Sequence, residues 1–341
     1  MLGRNIRYYR QLRRLSQEAL ADLVGLNKMA ISNYEADKRV PNMETIQGLA
    51  RALGISLADL LAQHDAELKI EHGAFRKHSA VGKQEQELIL GNTDRYLGRL
   101  YAVVSILGDA VLPPCPRYDR IPVSSCEEAG RHLRHVLGLS ESGPVGNIVA
   151  ILENMGFLFC PIDLDEPHFS GNSGYVNGRP YIAINTRISA ERQRFTLIHE
   201  LAHLVFIFDN EQNEEKMVDG IAGAFLLPRD DMIRELGPKR KDIRSDLRFI
   251  QQEYNVSMSA VIVRARQLDI IGATTYDITQ KWFSAQGWRK DEHSGIQPEE
   301  SHLLEQLTLR AVAEEEIGIS KAAELMHKPL REVRRLCYGG A

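Results

Sequence analysis

Residues 196–208 read Thr-Leu-Ile-His-Glu-Leu-Ala-His-Leu-Val-Phe-Ile-Phe (TLIHELAHLVFIF), an apolar run interrupted by two histidines four residues apart with a glutamate between them. The spacing predicts a helix in which His199 and His203 share one face and offer their imidazoles to a single point, with Glu200 beside them. Burying two imidazoles and a carboxylate among Leu197, Ile198, Leu201, Leu204, Val205 and Phe206 costs several kcal/mol, on the order of 2–7 per unpaired polar group. A zinc ion removes that cost, because it takes neutral histidines as ligands and leaves the glutamate next to its water. Two hydrogen-bonded core histidines would fit the same spacing; the segment that follows argues for the metal.

A catalytic zinc takes three protein ligands and keeps one position open. After the polar break Asp209–Asn213, a second helical run is expected over Glu214–Leu227, in which Glu215 and Asp219 stand one turn apart above Val218, Ile221, Ala222 and Phe225. We assign Glu215 as the third ligand and Asp219 as the acceptor for the second N–H of a zinc histidine, the bond that fixes ring orientation. Glu211 and Glu214 compete, but Glu211 falls in the break and Glu214 is turned about 100° from the Glu215–Asp219 line. As a carboxylate at a helix start, Glu214 reads as a partner of the helix dipole.

The H-E-x-x-H arrangement is the pattern of zinc peptidases. It implies peptide-bond hydrolysis, with Glu200 taking a proton from the attacking water and passing it to the leaving amine. Upstream, Tyr175–Ile184 predicts two short strands about the Asn177–Gly178 turn, whose exposed edge would suit an extended substrate. The residue that steadies the oxyanion stays open among His168, Tyr175, Tyr181 and Arg194.

A second signal lies at the amino terminus. Asn5–Leu15 predicts a basic amphipathic helix, Ser16–Val24 a capped second helix, Gly25 a turn, and Asn27–Glu35 a short third helix. Val40 through Leu61 supplies two more apolar periods, punctuated by Pro41 and Gly54. The layout is a five-helix, helix-turn-helix domain. Through LSQEALADLVGLNKMAISNYEADKRVPNMETIQGLARALGIS it resembles the phage-repressor, or Xre, family. That resemblance implies a third helix in the major groove of duplex DNA, with Lys28, Met29, Ser32 and Asn33 against base edges. Gln17, Lys38, Arg39 and Arg10 are then expected on phosphates.

The chain has 341 residues and a net charge of −4. Residues 1–64 carry nine Lys/Arg against six Asp/Glu, so any affinity for DNA is local to this end and calls for a homodimer on a palindromic operator. The four cysteines, Cys115, Cys126, Cys160 and Cys337, have no paired or ligand spacing and suit a reducing cytoplasm. No apolar run reaches the roughly 20 residues that span a membrane, and no signal peptide is evident, so a bacterial cytoplasmic, nucleoid-associated protein is expected. The predicted organisation is multidomain. Residues 1–64 form the all-α DNA-binding domain, 65–120 a helical linker with dimerisation potential, 121–270 an α+β zincin-like metallopeptidase domain, and 271–341 a helical C-terminal region. The long amphipathic helix in 82–107 is expected to pack within the chain, and the tail GISKAAELMHKPLREVRRL to serve packing or dimerisation rather than a second DNA contact.

With both signals placed, RFTLIHELAHLVF, EEKMVDGIAGAFLLP and SAQGWRKDE together resemble the ImmA/IrrE metallopeptidases fused behind an Xre domain. The resemblance implies cleavage of a DNA-bound repressor under stress, in a phage, mobile-element or defence setting, with zinc on His199, His203 and Glu215 and Glu200 as the base. The chain departs from the family pattern at Ala202, where glycine is usual, at Ile207, where a histidine often stands, and at Asp219, where asparagine is usual. The alternative reading is a pure repressor or antitoxin-like regulator whose peptidase fold is a non-catalytic sensor or dimerisation domain. The intact Glu200 argues for the enzyme, since a retired site has no need of a base.

Overall fold

The computed structural model describes residues 2–61, 68–73, 81–115, 120–209 and 213–339. Glu211, the expected boundary at residue 64 and part of the 65–120 segment lie outside the described residues. Five helices open the chain: α1 (Leu2–Leu12), α2 (Gln17–Leu23), α3 (Lys28–Glu35), α4 (Met43–Leu53) and α5 (Leu57–Leu61). Ser16, Asn27 and Asn42 each accept the backbone N–H three residues on, from Ala19, Ala30 and Thr45. Each bond satisfies a donor that the first turn leaves unpaired. Gly25, with φ +67°, takes the left-handed conformation that turns α2 toward α3. Ile6, Leu20, Ile31, Leu49, Leu53 and Leu60 close the core of this bundle.

Next come β1 (Ile70–His72) and α6 (Lys83–Leu107). The remaining order is β2 (Ile121–Pro122), α7 (Cys126–Val136), α8 (Ile148–Asn154), β3 (Leu158–Ile162), β4 (Gly171–Val176), β5 (Arg179–Asn185), α9 (Ala190–Val205), β6 (Phe206–Ile207) and α10 (Glu214–Leu226). The chain then continues as α11 (Arg229–Leu236), α12 (Leu247–Tyr254), α13 (Met258–Gln267), α14 (Ala273–Ala285), α15 (Leu303–Ala313), α16 (Ile319–Met326) and α17 (Leu330–Tyr338).

Two compact units result. Met1–Leu68, Arg76–Ile106 and Ala311–Ala341 form the first; Lys69–Phe75 and Leu107–Arg310 form the second. In the first, α6 packs on the outer face of α1. Arg7 and Gln11 donate to Glu87 at 2.6 and 2.8 Å, and Tyr8 donates to Asn92 at 2.6 Å. Arg95 lies over the Tyr8 ring, 3.6 Å from its centroid. Part of the basic surface of α1 is thus neutralised by acids of α6. Further along α6, Arg99 donates to the carbonyl of Leu325 in α16, which brings the tail into the same unit.

The second unit is α+β. Its four-stranded mixed sheet has the order β1-β4-β5-β3, with β1 and β5 antiparallel to β4, and β3 parallel to β5. Asn177 and Gly178, with φ of 50° and 78°, make the tight turn between β4 and β5. Leu197, Ile198, Leu201 and Ala202 of α9 fill the core beneath the sheet with Ile182 and Ile184. On the other side of α9, α10 packs closely on α7: a Cβ at Gly130 would stand 2.9 Å from that of Ala224. Buried guanidiniums hold the far end of α10, Arg134 donating to the carbonyl of Phe225 at 2.7 Å and Arg264 to that of Leu227 at 2.9 Å. Cations at these carbonyls complement the helix dipole.

The helix expected to run through Phe208 stops at Val205. Phe206 turns to extended backbone, φ −110° and ψ 154°, and β6 pairs in parallel with β2, Ile121 opposite Phe206. The Arg120 guanidinium also caps the carbonyl of Phe206, at 2.9 Å from Nε. An aromatic followed by a β-branched residue suits a strand, and a distant segment supplies its partner.

Candidate metal centre

Helices α9 and α10 bring His199, His203 and Glu215 together, each offering one ligand atom within 4.8 Å of the others. His199 Nδ1 lies 2.8 Å from Asp219 Oδ1, and His203 Nδ1 lies 2.9 Å from Glu214 Oε1. Each carboxylate accepts, so each Nδ1 is the donor, and in the neutral form of the ring that leaves a lone pair on Nε2. The two Nε2 atoms face each other at 3.2 Å, and the Glu215 carboxylate oxygens approach them at 3.6 and 3.9 Å. Two lone pairs and a carboxylate aimed at one point repel unless a proton or a metal ion stands between them. Two nitrogens on one tetrahedral zinc, each at 2.0–2.1 Å, are about 3.3 Å apart. The spacing of the two nitrogens therefore fits a shared zinc ion, with the Glu215 oxygens standing somewhat farther out.

Glu200, 8% exposed, sits beside this cluster and accepts a hydrogen bond from the Ser173 hydroxyl of β4 at 2.8 Å. The carboxylate thereby gains a fixed direction. Sequence reasoning missed both Ser173 and the role of Glu214. The signal for the first was a polar pair, Asn172–Ser173, buried in a strand. For the second there was none, because Glu214 meets His203 only once the break between the helices is folded.

The candidates for steadying an oxyanion separate clearly. In the ladder Ser173 faces Ile182 and Gly174 faces Tyr181, and successive strand residues point to opposite sides of a sheet. Tyr181 is thus on the side away from α9, where its hydroxyl meets His72 Nδ1 at 2.6 Å. Arg194 is buried in a structural role, donating to the carbonyls of Gly146 and Val145 and pairing with Glu299; burial pulls its pKa down to about 10. His168 lies exposed in the loop before β4. Tyr175 alone of the four shares the sheet face of Ser173 and packs against the α9 core. The edge of β4 expected to be open for substrate is not open: β1 pairs along it, Ile70 opposite Val176 and His72 opposite Gly174.

In the amino-terminal bundle, Ile31 and Tyr34 turn α3 inward, leaving Lys28 and Met29 exposed and Ser32 and Asn33 half-buried. Lys38 and Arg39 are exposed just past its end. Gln17 donates to Glu35 at 2.8 Å. The expected phosphate contact from Arg10 is overturned. Its guanidinium binds both oxygens of Glu35, at 2.6 and 3.0 Å, and the carbonyl of Leu15 at 2.7 Å, with the two side chains only 10% and 4% exposed. Arg10 ties α1 to α3 and cannot reach a phosphate.

Residues 6–60 match the family model described as helix-turn-helix, and residues 155–266 match the IrrE N-terminal-like domain. The chain belongs to the Xre-type regulators that carry an ImmA/IrrE-family domain. It is similar to control protein C.SmaI of Serratia marcescens, 38% identical over 73 residues that cover 21% of this chain and 84% of that protein. It is also similar to the HTH-type transcriptional regulator PuuR of Escherichia coli (strain K12) and of Shigella flexneri, 38% identical in each case over 103 residues. That match covers 29% of this chain and 56% of PuuR, so the chain spans about half the length of that regulator. The DNA-binding regulator domain and the peptidase-family domain are thus both identified. No helix among the described residues is long and apolar enough to cross a membrane.

Proposed function

We propose that this chain is a DNA-binding regulator whose second domain is a zinc-dependent endopeptidase, cutting a repressor-type protein, or its own chain, in a stress, phage or mobile-element response. The observation that carries the reading is the pair of Nε2 atoms turned toward each other and toward Glu215, with both Nδ1 atoms committed to carboxylates. His199, His203 and Glu215 hold the metal; Asp219 and Glu214 orient the two rings. Zinc held there supplies Lewis acidity to a peptide carbonyl and makes a water nucleophilic near neutral pH. Glu200, steadied by Ser173, would take up the proton of an attacking water as the water oxygen bonds to the carbonyl carbon, and would return that proton to the departing amine nitrogen as the C–N bond breaks. Of the four candidates for the oxyanion, Tyr175 is the one on the sheet face of Ser173, which favours it for that role.

On the DNA side, Lys28, Met29, Ser32 and Asn33 read base edges, and Lys38, Arg39 and Gln17 meet the backbone. A homodimer on a palindromic operator in the bacterial cytoplasm follows from the weak positive charge of one module. The test is digestion of a proteome-derived peptide library, read by mass spectrometry, with wild type and Glu200→Gln both supplied with zinc. The wild type is expected to cut and the variant to lose cutting while keeping its metal. Undiminished cutting by the variant would remove Glu200 from the mechanism, and no cutting by either chain would favour the non-catalytic regulator.

A further inference from the structure

We propose that the segment Lys69–Gly73 occupies the place of the substrate, so that the chain carries a tethered competitor on the edge of its own candidate active site. The inference rests on the peptidase reading above, but its test reads binding and not cleavage.

The segment pairs antiparallel with β4, the strand that holds the base. Gly73 N–H donates to the carbonyl of Ser173 at 2.7 Å, and the hydroxyl of the same serine holds Glu200 at 2.8 Å. The tethered strand therefore crosses the sheet edge one residue away from the catalytic carboxylate. At the other end, Asn177 N–H donates to the carbonyl of Lys69 at 2.9 Å, and Lys69 N–H donates to Asn177 Oδ1 at 3.0 Å.

The strand is held by its backbone ladder together with side-chain bonds at His72, Lys69 and Gly73. Ile70 and His72 are half-buried, and Glu71 is exposed and ion-paired with the exposed Lys69. Main-chain bonds at a sheet edge, with side chains chosen at alternate positions, are the means by which extended peptides are bound by strand addition. A three-residue ladder with little apolar burial is also weak enough to be displaced.

Two side-chain features describe the segment that would replace it. Opposite Ser173 a glycine is required, because a Cβ at Gly73 would lie 2.4 Å from the Ser173 carbonyl oxygen. The residue before it lies on the far face above Gly174, whose missing side chain leaves the Tyr181 hydroxyl within reach of the His72 ring at 2.6 Å. The substrate class is thus an extended peptide with a hydrogen-bonding side chain followed by glycine, running antiparallel to β4.

The test uses the full-length Glu200→Gln chain with zinc in the buffer and a fluorescein-labelled synthetic peptide having the sequence of residues 66–76, read by anisotropy. A tethered strand competes at an effective concentration on the order of millimolar, which weakens a peptide of Kd about 0.1 mM by about tenfold. Releasing the strand should restore that factor. Glu71→Pro does so by removing a backbone donor that faces β4, and Gly73→Val by the collision with Ser173; either one serves if the other fails to fold. We expect each released chain to bind the peptide about tenfold more tightly than the parent, and a peptide carrying Gly73→Val to lose that gain. Equal affinity for parent and released chains, or full binding of the valine peptide, would overturn the proposal. Tight binding to the released chain without hydrolysis by the corresponding Glu200 form would sink the peptidase reading and leave this one standing.

Discussion

At the centre each imidazole donates through Nδ1 to its own carboxylate, His199 to Asp219 and His203 to Glu214. A carboxylate behind a ligating histidine fixes the tautomer, aims the ring and raises its basicity, and losing one costs 10–100-fold in metal affinity in comparable sites. Glu214→Ala should therefore weaken zinc binding by about 10–100-fold in a chelator competition while leaving the fold intact by circular dichroism. Unchanged affinity would assign Glu214 to the helix dipole alone. The Asp219 oxygen accepts the same kind of bond that an asparagine oxygen can accept, so the departure from the usual asparagine leaves the arrangement intact. Ala202 is fully buried in the core of α9, so a methyl group is accommodated where the family usually has glycine.

Among the elements, relations within one helical turn were the legible ones. His199, Glu200 and His203 lie on one helix at the expected spacing, and Glu215 and Asp219 both reach His199 from one turn of α10, although Asp219 is exposed and not on a buried face. The caps of α2 and α3 were readable for the same reason. What depended on distant partners was not. The end of α9 is set by the β2–β6 pairing, the closed edge of β4 by a strand about a hundred residues earlier in the chain, and the packing of α6 by acids that meet α1. Arg10 looked like a phosphate contact because its partner, Glu35, lies 25 residues away. For α3 itself the exposed turn makes a direct prediction. Lys28→Ala combined with Asn33→Ala should reduce preference for the operator over random duplex, with each lost bidentate contact worth about 1–3 kcal/mol. A footprint of unchanged position and affinity would refute the assignment of α3 as the reading helix.

For the whole molecule, a net charge of −4 confines attraction for DNA to one patch, and the metal-ligand cluster lies in the second compact unit, within Leu107–Arg310. The helix-turn-helix bundle and the candidate metal centre thus belong to two units of one chain, with the strand on the β4 edge, within Lys69–Phe75, counted in the second. The peptidase reading of the second unit depends on a metal at His199, His203 and Glu215. The most direct measurement is metal content by mass spectrometry on wild type and His203→Ala, both purified without added metal. One zinc per wild-type chain and none in the variant is the predicted result; a wild type that holds no metal even after zinc is supplied would contradict the account.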